Sequence, residues 1–172
     1  MLKDMLERTG AVKFGDFTLS SGKESNIYID IKIACTYPEV LSKISELVIN
    51  KLGEKGIEYH KIACVELGGV PLAVSLSIVT GKPYAIFRKE EKGYGTGGDV
   101  IGSIEECEKV IIIEDVTTTG GSARSAVKRV EKLKGNVEAV ISVVDRGEGA
   151  EELFANQNVE FIPLLTKKEL LE

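Results

Sequence analysis

Tryptophan is absent from this 172-residue chain, histidine occurs once, and aromatic residues make up only 6%. Without an aromatic platform, stacking on single-stranded nucleic acid is not expected. With a net charge of −5, neither is a basic face for a duplex, so no nucleic-acid partner follows. The lone histidine, His60, sits in the polar stretch EKGIEYHK ahead of an apolar run and reads as an exposed strand-edge residue, not the base of a triad. Cys35, Cys64 and Cys107 are far apart and odd in number, which gives neither a disulfide framework nor a zinc pattern and leaves a reduced, cytoplasmic setting as the default. No apolar run approaches the ~18 residues of a membrane span. The N-terminal MLKDMLERTG reads as an amphipathic helix, not a signal peptide, and no membrane partner is expected.

Hydrophobic residues at 43% and charged residues at 28% suit one soluble domain long enough to bury a core. Its organisation alternates. TYPEVLSKISELVINKLGEKG carries Val40, Leu41, Ile44, Leu47, Val48 and Leu52 at helical spacing, opens on a capping-box pattern of Thr36 and Glu39, and closes on Gly53 and Gly56. KIACVE (61–66), PYAIFRK (83–89), KVIIIED (109–115) and NVEAVISVVDR (136–146) read as strands. Between them, LAVSLSIV after Pro71 and SARSAVKRVEKLKG read as helices, the latter with a stripe of Ala123, Ala126, Val127, Val130 and Leu133. Strands alternating with single helices predict an α/β fold whose parallel sheet is covered on both faces. FGDFTLSSGKESNIYIDIK stands apart as two strands around a Ser-Ser-Gly turn, an antiparallel flap outside the main wind. The closing VEFIPLLTKKELLE is expected to return beside that flap.

Two glycine motifs mislead. GYGTGGDV (93–100) fits G-x-G-x-x-G literally, but it neither leaves a strand nor opens a helix, as a dinucleotide fingerprint must. The kinase form fails too, since the companion motifs are missing. What remains is a glycine-rich charged segment too long for a plain turn.

VIIIEDVTTTGGSA (110–123) is different. It runs from a buried strand into a helix at the carboxyl end of a parallel sheet, where open α/β folds bind ligands. Amides of Thr118, Thr119, Gly120, Gly121 and Ser122, with hydroxyls adding donors, can cradle a phosphate monoester at the helix N-terminus. Glu114 and Asp115 would repel that phosphate, so they are expected to face hydroxyls or a metal farther along the ligand. A ribose 5-phosphate has both ends. A capped strand–helix turn would need only one threonine and one glycine.

This segment resembles the binding motif for phosphoribosyl pyrophosphate (PRPP) of type I phosphoribosyltransferases. Three further stretches are similar to the orotate phosphoribosyltransferase family: FTLSSGKESNIYIDIK (17–32), FRKEEKGYGTGG (87–98) with that family's catalytic-loop pattern, and VVDRGEGA (143–150). Purine phosphoribosyltransferases would share only the first motif. The resemblance implies a central parallel sheet flanked by helices, a core at about 34–150, and a hood formed by about 1–33 with the C-terminal tail. It implies transfer of the phosphoribosyl group from PRPP to orotate, giving orotidine 5′-monophosphate and pyrophosphate in the synthesis of UMP. The rival functions are a PRPP-binding transcriptional regulator, for which no DNA-binding element is present, and a purine phosphoribosyltransferase.

By the same resemblance, PRPP is held by Arg88, Lys89, Lys92, Tyr94, Gly68, Gly69 and the stretch from Glu114 through Val116 to Ser122. Orotate is held by Arg146, whose fork suits a planar carboxylate, with Thr118 and Lys23 beside it. Lys92, Asp115 and Glu114 carry the catalytic roles. Mg²⁺ is the implied cofactor, bound mainly through PRPP, with Asp115 reaching it through water. A homodimer is implied, with the 88–98 loop acting in the neighbouring site. Where many relatives carry lysine after F-T-L and a basic residue in the pyrophosphate loop, this chain has Ser20 and Gly68.

Overall fold

A computed structural model describes residues 1–18, 22, 24–89 and 99–172. Helix α1 (Leu2–Arg8) leads into an antiparallel pair, β1 (Val12–Thr18) and β2 (Glu24–Ile29), followed by the short α2 (Ile31–Ala34) and the long α3 (Pro38–Glu54). Then come β3 (Lys61–Val65), α4 (Gly69–Thr80), β4 (Tyr84–Phe87), β5 (Val100–Ile101) and β6 (Lys109–Thr117). The chain continues through α5 (Gly121–Lys132), β7 (Asn136–Asp145), α6 (Ala150–Ala155), β8 (Glu160–Thr166) and α7 (Lys167–Leu171).

The main sheet has the order β5-β4-β3-β6-β7-β8, parallel except for β5 at one edge. Its central strands are apolar throughout because both faces are covered. Alternation sorts them cleanly. Ile62, Cys64, Ile111, Ile113 and Ile141 meet α3 and α4 on one face. Ala63, Val65, Val110, Ile112 and Val140 meet Ala126, Val130 and Phe154 of α5 and α6 on the other. The winding reverses between β3 and β6: α4 carries the chain from β3 toward β4, and α5 carries it from β6 toward β7. A crevice therefore opens at the carboxyl ends of β3 and β6.

Three local expectations need correction. Thr36 does not cap α3; its hydroxyl donates to the Ile33 carbonyl at 2.7 Å, and Tyr37 holds the N-cap position without a side-chain bond. Pro38 explains this, since its fixed φ suits the first helical turn and its ring keeps Tyr37 extended. The second concerns 159–172. Residues Glu160–Thr166 form the sixth strand of the main sheet, parallel to β7, instead of lying beside the flap. Pro163 is tolerated because β8 is an edge strand. Only α7 turns back toward the N-terminus, where Lys3 donates to the Glu169 carbonyl at 3.3 Å. Leu133, expected on the buried stripe of α5, is 39% exposed just past the helix end. Among the described residues no helix is long and apolar enough to cross a membrane.

Candidate active site

The β6 strand runs on through both acids to Thr117, so the pleat sends Glu114 and Asp115 to opposite faces of the sheet. Glu114 is 5% exposed and accepts a hydrogen bond from the Ser122 hydroxyl at 3.2 Å. Asp115 points to the α4 side, where its Oδ2 lies 3.9 Å from Lys32 Nζ. It also covers Gly68, for a Cβ there would sit 2.1 Å from Asp115 Oδ2. The two acids thus leave the strand on opposite faces, Glu114 among the residues lining the hollow before α5 and Asp115 on the α4 side. Asp115 is the partly exposed acid of the crevice, and Glu114 is a buried group under the first turn of α5.

Burial, and secondarily the charge of Asp115, pushes the Glu114 carboxyl up to about 8, against the opposing hydrogen bond from Ser122. Between its ordinary value of 4.5 and about 8, the folded chain holds a proton that the unfolded chain has lost. The raised value therefore lowers stability progressively as pH rises through that window, by up to ~1.4 kcal/mol per unit. The thermal midpoint of metal-free protein is expected to fall between pH 5 and pH 8, and Glu114→Gln to flatten that fall. Parallel calorimetric pH profiles for the two proteins would refute this origin of the raised value.

The turn after β6 has the make-up of an anion cradle. Gly120 takes φ +85°, and a Cβ there would meet Leu153 Cδ2 at 2.8 Å, so both backbone and space require glycine. Gly120 caps α5 without a side-chain bond, and the first helical bond of the turn is Arg124 N–H to the Gly120 carbonyl. The amides of Gly121, Ser122 and Ala123 precede it and are available to an anion. Thr118 and Thr119 are exposed beside them, and Val116 lines the same hollow. Thr117 differs: it is 3% exposed and its hydroxyl donates to Ser142 Oγ at 2.9 Å, so that hydroxyl is not offered to the cradle.

Gly68 and Gly69 start α4 at the end of β3, across the crevice from the cradle. At Gly69 a Cβ would lie 2.8 Å from both Cys64 Cβ and the Ile113 carbonyl, so glycine lets α4 dock on the sheet. Arg146 follows β7; its N–H donates to the Thr117 carbonyl at 2.9 Å, and its Nε lies 3.3 Å from Glu148 Oε1, an ion-pair distance without hydrogen-bond alignment. Asp145 accepts from Gly147 N–H at 3.0 Å and fixes that turn. Arg88 and Lys89 leave β4 beside the end of β3, where Glu66 accepts from Lys89 N–H at 2.9 Å. Lys23, Lys92 and Tyr94 lie outside the described residues.

Lys32 and Arg129 are absent from the sequence reading. Lys32 bonds Asp30 at 2.8 Å as well as approaching Asp115, and the D-x-K ending of the 17–32 signature is the only sequence cue to it. Arg129 is 9% exposed on the apolar side of α5, a cation where the stripe calls for a hydrocarbon. His60 precedes β3 and so lies at the opposite end of the sheet from the crevice.

A family model described as the phosphoribosyl transferase domain matches residues 36–161. The chain is 51% identical over 172 residues to the orotate phosphoribosyltransferase of Archaeoglobus fulgidus, covering all of this chain and 90% of that one. It superposes on the crystal structure of orotate phosphoribosyltransferase from Aeropyrum pernix with a TM-score of 0.89 at 34% identity, over 99% of this chain and 96% of that one. The Mycobacterium tuberculosis orotate phosphoribosyltransferase, solved in complex with PRPP, gives a TM-score of 0.82 at 28% identity, over 99% and 97% of the two chains.

Proposed function

The chain belongs to the phosphoribosyltransferase family, and we propose that its crevice transfers the phosphoribosyl group of PRPP to orotate, giving orotidine 5′-monophosphate and pyrophosphate. The observation that carries this reading is the facing of two glycine-bearing helix starts, at α5 and α4, across the reversal between β3 and β6. One suits the 5-phosphate and the other the diphosphate, with Asp115 between them for the ribose hydroxyls. Neither a transcriptional regulator nor a purine enzyme is favoured by the relatives, which are orotate phosphoribosyltransferases.

The C1′–oxygen bond to pyrophosphate breaks as the orotate ring nitrogen attacks C1′ from the other face, and the nitrogen's proton is released to solvent or to the departing pyrophosphate. Orotate is itself the nucleophile, so the protein's work is positioning and charge stabilisation. Amides of Gly121 and Ser122 with the Thr118 and Thr119 hydroxyls hold the 5-phosphate, and Glu114 orients Ser122. Arg146 pairs with the orotate carboxylate, exchanging Glu148 for it, while Thr118 and Lys23 border the base. Arg88, Lys89, Lys92 and Tyr94 face the departing diphosphate.

Mg²⁺ suits this donor set, a partly exposed carboxylate, Asp115, beside a polyanionic substrate. When bound, it would supply Lewis-acid charge to the departing pyrophosphate, and Asp115 is the residue that would help hold it.

A second copy of the chain would seat on the α3–α4 face, where Leu67, Ile78 and Val79 are 72%, 78% and 58% exposed around Leu41, Val70 and Val74. That face runs into Gly68, which brings a partner beside the crevice and allows the 88–98 segment to act in trans. The functional test is loss of orotate absorbance with purified protein, PRPP and Mg²⁺, beside runs with adenine, guanine and hypoxanthine. Consumption of orotate alone, dependent on PRPP and Mg²⁺, is expected. Turnover of a purine, or PRPP binding without turnover, would overturn the assignment.

A further inference from the structure

Arg129 raises a question that the reaction scheme leaves unanswered. Helix α5 docks on the sheet through Ala123, Ala126, Val127 and Val130, and an all-apolar contact would serve. A guanidinium in that position is costly unless its donors are met. They are met by main chain. Arg129 Nη1 donates to the Arg88 carbonyl at 2.7 Å and Nη2 to the Asp99 carbonyl at 2.5 Å, while the guanidinium lies 4.6 Å from the centre of the Phe87 ring.

These carbonyls lie at the end of a short ladder among the described residues. Strand β5 pairs with β4 at only two positions, Ile86 with Ile101 and Phe87 with Val100, and the next rung is Arg88 N–H to the Asp99 carbonyl at 3.0 Å. So short a pairing frays easily. Arg129 ties both strands at that rung to the helix whose first turn is the phosphate cradle.

The direction of Arg88 follows from this rung. Phe87 packs on the α5 face and Ile86 on the α4 face, so alternation turns Arg88 toward α4 and its Gly68–Gly69 start. There Arg88 Nε is buried without an acceptor among the described residues, the condition of a donor waiting for an anion.

We propose that Arg129 is a positioning residue for the transfer reaction: by holding the Arg88 and Asp99 carbonyls it aims Arg88 at the diphosphate end of PRPP. This rests on the assignment of Arg88 as a PRPP contact.

A double-mutant cycle on the full-length protein tests both separately, using kcat/KM for PRPP with thermal midpoints as the check on folding. Arg88→Ala is expected to lower kcat/KM by about 10²-fold, and Arg129→Met by about 10-fold or more. If Arg129 acts through Arg88, the double variant matches Arg88→Ala within about twofold. Methylguanidinium is then expected to restore part of the rate to Arg129→Ala and none to the Arg88→Ala/Arg129→Ala double variant. Multiplied losses in the double variant would overturn the proposal while leaving Arg88 as a contact. Wild-type kcat/KM in Arg88→Ala would overturn the contact and the proposal together. Should Arg129→Met fold poorly, Arg129→Lys, which keeps the charge but not the fork, is read in the same cycle.

Discussion

Lys92→Ala is expected to lower kcat by about 10²–10³-fold, with the thermal midpoint unchanged. In the proposed reaction orotate itself is the nucleophile, and the lone histidine lies at the far end of the sheet, so acid–base chemistry at His60 cannot carry the rate. What must be stabilised is the charge developing on pyrophosphate as the C1′ bond loosens. Gly68 offers no side chain for this, and the nearest charge to it is the carboxylate of Asp115. The cations of the 88–92 stretch are therefore the chain's main resource, and Lys92 is the one that the family resemblance places on the leaving group. A steady-state assay with saturating orotate reads the loss in kcat; turnover at the wild-type rate would remove Lys92 from the mechanism. A mixture of Lys92→Ala and Arg146→Ala subunits adds a second readout. If the segment acts in trans, the mixed dimer regains one intact site, and the mixture is more active than either variant alone.

The parts of this architecture that were legible in the sequence are those set by local pattern. The β-branched run of β6 and the stripe of α5 follow from periods of two and 3.6. The density of hydroxyls and glycines between them marks the cradle, because an anion site needs amides, room and a helix start together. Strand order is a different kind of property. Nothing local in KIACVE or KVIIIED says that they are neighbours or that the winding reverses between them, yet that reversal creates the crevice. The same holds for β8, whose short mixed pattern and Pro163 read as a peripheral piece until β7 supplies its partner. The opposite facing of Glu114 and Asp115 was available from the two-residue period alone, once β6 was extended past them. Arg129 was not, since its partners are two main-chain carbonyls 30 and 41 residues away. Lys32, in α2, matters through a carboxylate on β6 and is similarly silent in the sequence.

Gly68→Ala is expected to lower kcat/KM for PRPP by about 10²-fold while leaving the fold in place. Its backbone φ of −61° suits any residue, so the substitution carries no conformational strain. Space is the obstacle: the new methyl would lie 2.1 Å from Asp115 Oδ2 and 2.3 Å from its Cγ. Only the end of a side chain stands in the way, so Asp115 is expected to rotate out, abandoning Lys32 and the position proposed for meeting the ribose hydroxyls. Gly69→Ala is the control one residue on. There the methyl would press within 2.8 Å of the Ile113 carbonyl and Cys64 Cβ, neither of which can swing aside. The strain falls on the α4–sheet contact, and the thermal midpoint is expected to drop. Two adjacent one-carbon changes should thus fail differently, the first in PRPP kinetics and the second in stability, as read by steady-state assay and calorimetry side by side. Gly68→Ala with unaltered kcat/KM would mean that the placement of Asp115 over this glycine has no part in the reaction.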